Sequence, residues 1–120
     1  MDYDPARPQL AERDVAGFFA YDLRVGTVLD VRPNTGARKP AYVLTIDFGP
    51  LGVRTTSAQL TRHYEPQALV GRQVVAVLNF PPRRVAGIRS EVLVLGACGA
   101  SDDVVLLGPD QSVPNGTPIA

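Results

Sequence analysis

The sequence predicts an all-β domain, a small five-stranded barrel with short helical segments. Three observations predict it. Apolar and polar residues alternate with a period of two, or run together as buried strands do, in several short stretches between residues 23 and 108. Eleven glycines and eleven prolines among 120 residues punctuate those stretches with turns. Helical signals are confined to places before the first strand and between the third and the fourth.

Residues 1–13 lack periodicity and read as a flexible arm, with the domain occupying residues 14–120. Asp14 is placed to cap a helical turn, VAGFFAY, that presents Phe18 and Phe19. LRVGTVLDV (23–31) puts Leu23, Val25, Leu29 and Val31 on one face, and Gly26 within it signals a bulge or a sharp bend. RPNTGARKP (32–40) is a loop. AYVLTIDFG (41–49) carries Tyr42, Leu44, Ile46 and Phe48 on one face, and the turn GPLG (49–52) folds it onto VRTTS (53–57) as a hairpin. Ser57 can cap a short helix, AQLTRHY, and EPQALVG follows with Pro66 near a helix start and Gly71 at its stop.

RQVVAVLNF (72–80) is an almost unbroken apolar run. NFPPRRVAGIRS then interrupts it, before the apolar runs SEVLVLGAC (90–98) and DVVLLG (103–108), joined by a GASD turn. The tail, PDQSVPNGTPIA, is turn-rich. Its Asn115-Gly116-Thr117 matches a glycosylation sequon by chance, since nothing at the start of the sequence resembles a secretory signal. Five to six strands with a helical segment midway describe the OB-fold, a Greek-key barrel that commonly uses one face and its loops to bind oligonucleotides. The expected core comprises Leu44, Ile46, Val75, Val77, Leu93 and Leu95.

The composition excludes several functions. One cysteine rules out an internal disulfide and a cysteine metal site, and Cys98 reads as a small buried hydrophobe within EVLVLGAC. One histidine, His63, reads as a surface residue and leaves little scope for a triad or a zinc centre. No phosphate loop, G-x-S-x-G or H-E-x-x-H occurs. The expectation is a cytoplasmic binding protein, not an enzyme, with no cofactor, no catalytic residue, no metal site and no membrane insertion. The formal net charge is zero, yet residues 23–90 hold ten basic side chains against three acidic ones, and both ends are acidic. A basic middle points to an anionic partner.

Two basic clusters abut prolines. Pro81 and Pro82 remove two backbone donors and stiffen the chain just before Arg83 and Arg84. Planar guanidinium groups suit phosphates or carboxylates and stack on rings. Asn79 and Ser90 add polar groups beside them. ARKPAY (37–42) supplies Arg38 and Lys39, with Tyr42 next to them. Basic groups interleaved with the rings of Tyr42 and Phe80 fit single-stranded nucleic acid, and equally an extended peptide. Phe80 reads as the more core-like of the two rings.

The stretches FFAYDLRVGTVLDV, ARKPAYVLTIDFG, TTSAQLT and NFPPRRVAGIRSEVLVLG together resemble the CsaA family, from about residue 18 to the C-terminus. That family lies within the tRNA-binding-domain superfamily. The resemblance implies an OB barrel and a homodimer. It also implies a chaperone-like role in protein export, recognising unfolded or preprotein polypeptide. The superfamily motif N-x-x-P-R-K-M-x-G-x-x-S-x-G-M is matched at Asn79, Pro82, Arg83, Arg84, Gly87 and Ser90. Val85 replaces its first methionine and Val92-Leu93 its Gly-Met, as in the CsaA-like branch. Ser57 and Gln59, in TSAQLT, resemble a surface turn of the family near the same face. The site the sequence suggests is therefore Arg38, Lys39, Tyr42, Ser57, Gln59, Asn79, Arg83, Arg84 and Ser90. Two ligands remain open: polypeptide with a retained capacity for tRNA, or tRNA itself, bound by a free or synthetase-associated module. The substitutions at Val85, Val92 and Leu93 favour peptide, and the basic middle favours RNA.

Overall fold

A computed structural model of the chain describes residues 3–99 and 103–120. Its strands are β1 (Leu23–Pro33), β2 (Tyr42–Asp47), β3 (Val53–Ala58), β4 (Gln73–Val77), β5 (Arg83–Val85), β6 (Ile88–Ser90), β7 (Leu93–Val94), β8 (Gly96–Cys98) and β9 (Val104–Leu106). Two single-turn helices accompany them, α1 (Val15–Phe18) and α2 (Pro66–Leu69). The principal sheet has the order β3-β2-β1-β4-β7, with every neighbour antiparallel. β5 pairs with β6 and β8 with β9 as separate ribbons. The result is the expected all-β fold, a nearly closed five-stranded OB-type barrel.

β1 is the pivot of the barrel. Its first half, Leu23 to Thr27, pairs with β4, and from Thr27 onward it pairs with β2. A bulge between Val28 and Asp30 shifts the register midway. The extra residue, Leu29, is turned outward and lies 48% exposed, while Val28 takes the interior place. The bulge therefore sits at Leu29 and not at Gly26. Gly26 answers a different need: a Cβ there would lie 2.7 Å from Ile46 Cγ2 and from the Phe48 ring. No side chain fits where β1 crosses that packed interior.

The interior is filled from β2 and β4 and by α2. Leu44, Ile46, Phe48, Leu69, Val74 and Ala76 have no accessible surface. A second apolar layer lies on the other face of β1 and β4, where Leu23, Val25, Val75 and Val77 pack under Leu95, Val113 and Ile119. β4 is thus buried on both faces, which is why its sequence is a continuous apolar run. The cover comes from the tail, which is more than a series of turns. Gly116 N–H donates to Val25 O, Val25 N–H to Thr117 O, and Ile119 N–H to Leu23 O, at 2.7, 3.0 and 3.0 Å. The Asn115 amide oxygen accepts from Thr27 Oγ1 and Gln73 Nε2, so the side chain of the chance sequon is a tail anchor.

The expected caps and turns form where their chemistry places them. The Asp14 carboxylate accepts from Ala16 N–H at 2.9 Å, starting α1. Pro66 opens α2, and Gly71, at φ 87°, releases the chain after it. Between Gln59 and Tyr64, however, the chain makes turns and no helix. β3 extends through Ser57 to Ala58, which takes the proposed capping residue into the sheet. β4 ends at Val77, three residues before Phe80. The run 90–98 is broken into the end of β6, then β7 and β8. Of the six expected core residues, Leu44, Ile46, Val75 and Val77 are buried and Leu95 packs against the second layer. Leu93 is 50% exposed instead, and Val92 takes the interior place, a one-residue reversal of facing. Residues 100–102 of the GASD turn lie outside the described residues.

The close approach at Gly26 yields a direct check. Gly26→Ala should lower stability by about 1–3 kcal/mol through overpacking, read as a shift of the urea midpoint. An unchanged midpoint would mean that Ile46 and Phe48 can move aside.

Candidate functional site

A groove of about 820 Å³ opens beside the seam where β3 meets the chain after β6. Its floor and walls come from three stretches: Thr56 to Leu60, then Phe80, Pro81, Arg83, Val85 and Ala86, and Ser90 to Val94. The loop before β2 forms one flank, with Arg38 and Lys39, and Gly96, Cys98 and Val104 line the far part. Apolar side chains dominate the lining, among them Phe80, Val85, Val92, Leu93 and Val94.

The seam is held by short-range polar bonds. Glu91 N–H donates to Thr55 O at 2.8 Å, and Thr55 N–H donates to Glu91 Oε1 at 3.0 Å. The buried Thr56 hydroxyl donates to Val92 O at 2.7 Å and lies 2.9 Å from the Ser90 hydroxyl. Ser57 N–H donates to Ser90 Oγ, and Asn34 Nδ2 donates to Ser57 Oγ. Ser57 and Ser90 therefore brace the groove wall before they can offer anything to a ligand.

Arg83 and Arg84 are not on a bare turn. They occupy β5 of a hairpin whose tip, Ala86-Gly87, has φ of 46° and 83°. Those positive angles are those of the tight turn that matches strand twist. Alternation along β5 sends the two arginines to opposite faces. Arg83 lines the groove. Arg84 donates to Gly87 O at 3.2 Å, back onto its own hairpin, and is not part of the lining. The hairpin tip meets the loop before β2: a Cβ on Gly36 would come 2.8 Å from Ala86 O. That contact sets the loop carrying Arg38 and Lys39 against the hairpin.

The structure thus gathers Arg38, Lys39, Ser57, Gln59, Arg83 and Ser90 around one groove. Three suggested residues are elsewhere. Arg84 points away, as described. Asn79 clasps the start of β1, accepting from Asp22 N–H at 2.8 Å and donating to Ala20 O at 2.9 Å. Tyr42 is a core residue, only 8% exposed, and its hydroxyl donates to Tyr64 O at 2.7 Å. Burial, and then the charge of Glu65, push its phenol above the ordinary tyrosine range. The alternation Tyr42, Leu44, Ile46, Phe48 already carries that inward facing. The ring that reaches the groove is Phe80, 40% exposed and edge-on to Tyr21 at 5.7 Å. Its position beyond the end of β4, before two prolines, is the signal for exposure. Leu93 and Cys98, whose apolar runs predict interior places, both line the groove.

The model of the family described as "Putative tRNA binding domain" matches residues 23–118. The chaperone CsaA of Bacillus anthracis str. Ames superposes with a TM-score of 0.88 at 52% identity, covering 92% of this chain and 100% of that one. The chain belongs to the CsaA family, within the tRNA-binding-domain superfamily. The CsaA chaperone of Picrophilus torridus superposes at a TM-score of 0.83 and 42% identity, over 91% of this chain and 100% of that one. Methionine–tRNA ligase of Methanothrix thermoacetophila is 42% identical over 99 residues, 82% of this chain but 14% of that protein. The chain therefore spans about one seventh of that ligase's length.

His63 Nε2 meets the Asp103 carboxylate. That hydrogen bond holds the Asp103 carboxyl below the ordinary carboxylate range. A depressed carboxylate pKa makes the contact stabilising above the unfolded-state pKa, and that stabilisation is lost as pH falls through the folded-state value. In a carboxyl-carbon NMR titration, His63→Ala should raise the Asp103 midpoint toward the ordinary range. An unmoved midpoint would assign the depression to another group.

Proposed function

We propose that this protein is a CsaA-type chaperone that binds exposed, extended polypeptide segments in the groove beside the β3 seam and acts in the cytoplasm. One observation carries the reading: the groove is large, chiefly apolar, and leaves Phe80 and Leu93 as much as 40% and 50% exposed. Apolar side chains in a concave surface gain from being covered by a ligand's own apolar groups. Gln59, exposed on the same wall, offers both a donor and an acceptor to a passing backbone. The full-length likeness to the CsaA chaperones supports the same class of activity.

A second reading is supported by the family model and by the ligase relative: the domain binds tRNA. Arg38, Lys39 and Arg83 would then meet phosphates. The two readings part in a competition experiment. A fluorescein-labelled, Leu/Phe-rich decapeptide and labelled tRNA are titrated separately, each over a range of salt. Under the peptide reading, Phe80→Ala and Leu93→Ala each weaken the peptide about ten-fold, the loss of one well-buried apolar side chain. Salt has little effect on that binding. Under the tRNA reading those substitutions matter little, and affinity falls steeply as salt rises.

The assembly we propose is a homodimer. α1 and the residues after it expose Val15, Phe18, Phe19 and Tyr21, and β9 with the residue after it exposes Val105 and Leu107. Leu106, beside them in the chain, is buried in the core, and Val104 packs against it. Phe18 and Phe19 stack edge-on at 5.3 Å, forming a single aromatic knob. Sedimentation equilibrium at micromolar concentration should return twice the 12.8 kDa chain mass, and Phe18→Asp with Phe19→Asp should return the monomer. A monomeric parent protein would end this proposal.

A further inference from the structure

The groove carries a charge that its own walls do not neutralise. Arg38 and Lys39 flank it from the loop before β2, and Arg83 from β5. Among the described residues no acidic side chain forms an ion pair with any of the three. One acidic residue, Glu91, belongs to the lining, and it is turned into the seam, where its Oε1 accepts from Thr55 N–H at 3.0 Å. The Gly36–Ala86 contact keeps the loop against the hairpin, so the cations from the two elements border one region. The remaining wall, through Val92 and Leu93 to Val104, is apolar.

We propose that the groove selects extended apolar segments that carry an acidic side chain, whose carboxylate is received by Arg38, Lys39 and Arg83. The inference rests on the peptide reading above and names its substrate class. Charge complementarity fixes the sign: three cations with no ion-pair partner among the described residues, at the edge of an apolar channel, favour a ligand that brings its own anion. An arginine fork takes a carboxylate through two parallel hydrogen bonds, and a neighbouring lysine adds a mobile third donor.

Two alternatives use the same cations less well. Single-stranded nucleic acid needs a series of rings on which successive bases stack. Among the described residues Phe80 is the one aromatic lining the groove, because Tyr42 is buried. A chain-terminal carboxylate is ordinarily captured by a nest of backbone N–H groups. This groove presents cations on long side chains from two elements, which reach a side-chain carboxylate along a passing segment.

The test uses the full chain and three N-acetylated decapeptides with one shared Leu/Phe/Val core, read by fluorescence anisotropy. The first has an internal Asp and an amidated end, the second has Asn in its place with the amidated end, and the third has Asn with a free terminal carboxylate. The Asp peptide should bind about ten-fold more tightly than its amidated Asn partner at low salt, and the gap should narrow as salt screens the pair. Combining R38Q, K39Q and R83Q should bring that ratio to one, with circular dichroism confirming an intact fold. Equal affinity of the Asp and amidated Asn peptides for the parent protein overturns the acidic selectivity while leaving the peptide reading intact. Preference for the free-carboxylate peptide over the Asp peptide overturns the side-chain assignment. Binding of tRNA with no binding of any peptide overturns both the selectivity and the reading beneath it.

Discussion

Everything around the groove depends on how the barrel is closed. β3 does not meet its neighbour through a long ladder. It meets the chain at residues 90–92 through Glu91, the buried Thr56 hydroxyl and the Ser90 hydroxyl. A buried hydroxyl must be satisfied, since leaving one unpaired costs about 1–3 kcal/mol. Thr56 is satisfied only if Val92 and Ser90 are in place. That requirement fixes where β6 ends, and with it the hairpin that carries Arg83. The polar groups that first look like ligand contacts are therefore the joint that positions the ligand surface.

The same economy governs the other side of the barrel. β1 and β4 carry apolar side chains on both faces, and one five-stranded barrel has only one interior. The second face is covered by the tail, through Val113 and Ile119, and the tail's backbone continues the hydrogen bonding of β1. Asn115 joins Thr27 on β1 to Gln73 on β4 and so locks that cover in place. Once both layers are filled, α1 has no buried residue, and its aromatic side chains remain outside. Their exposure follows from the packing of the rest.

The sites where this chain departs from the wider superfamily motif fall on the groove. Val85 and Val92-Leu93 stand where that motif has methionine and Gly-Met. Val85, Val92 and Leu93 all belong to the lining, with Val92 anchored inward and Leu93 facing out. Substitution by branched apolar residues makes the wall stiffer and more hydrophobic. Of the basic residues on the rim, Arg83 falls at the motif's arginine position. The surface joins an apolar channel to a cationic border.

Much of the architecture was legible in the sequence. Alternation in residues 41–49 placed Tyr42, Leu44, Ile46 and Phe48 together. Asp14, Pro66 and Gly71 marked helix ends through their own backbone chemistry, and the hairpin turn at GPLG required only local geometry. Arg83 lines the groove, and Arg38, Lys39, Ser57, Gln59 and Ser90 border it as well. What the sequence could not supply was facing and register, because these are settled by partners distant along the chain. Leu29 and Val28 exchange roles at a bulge set by pairing with β2, and Leu93 and Val92 exchange roles because Val92 O must reach Thr56. Tyr42 and Phe80 both read as rings beside basic clusters. Alternation already turns Tyr42 inward, and the tertiary structure adds the partners: the Tyr42 hydroxyl donates to Tyr64 O, while Phe80 lies beyond the last pairing of β4. Local sequence determines which elements form, by propensity and capping. Long-range hydrogen bonds and the limited volume of one barrel decide which of their side chains are left for a ligand.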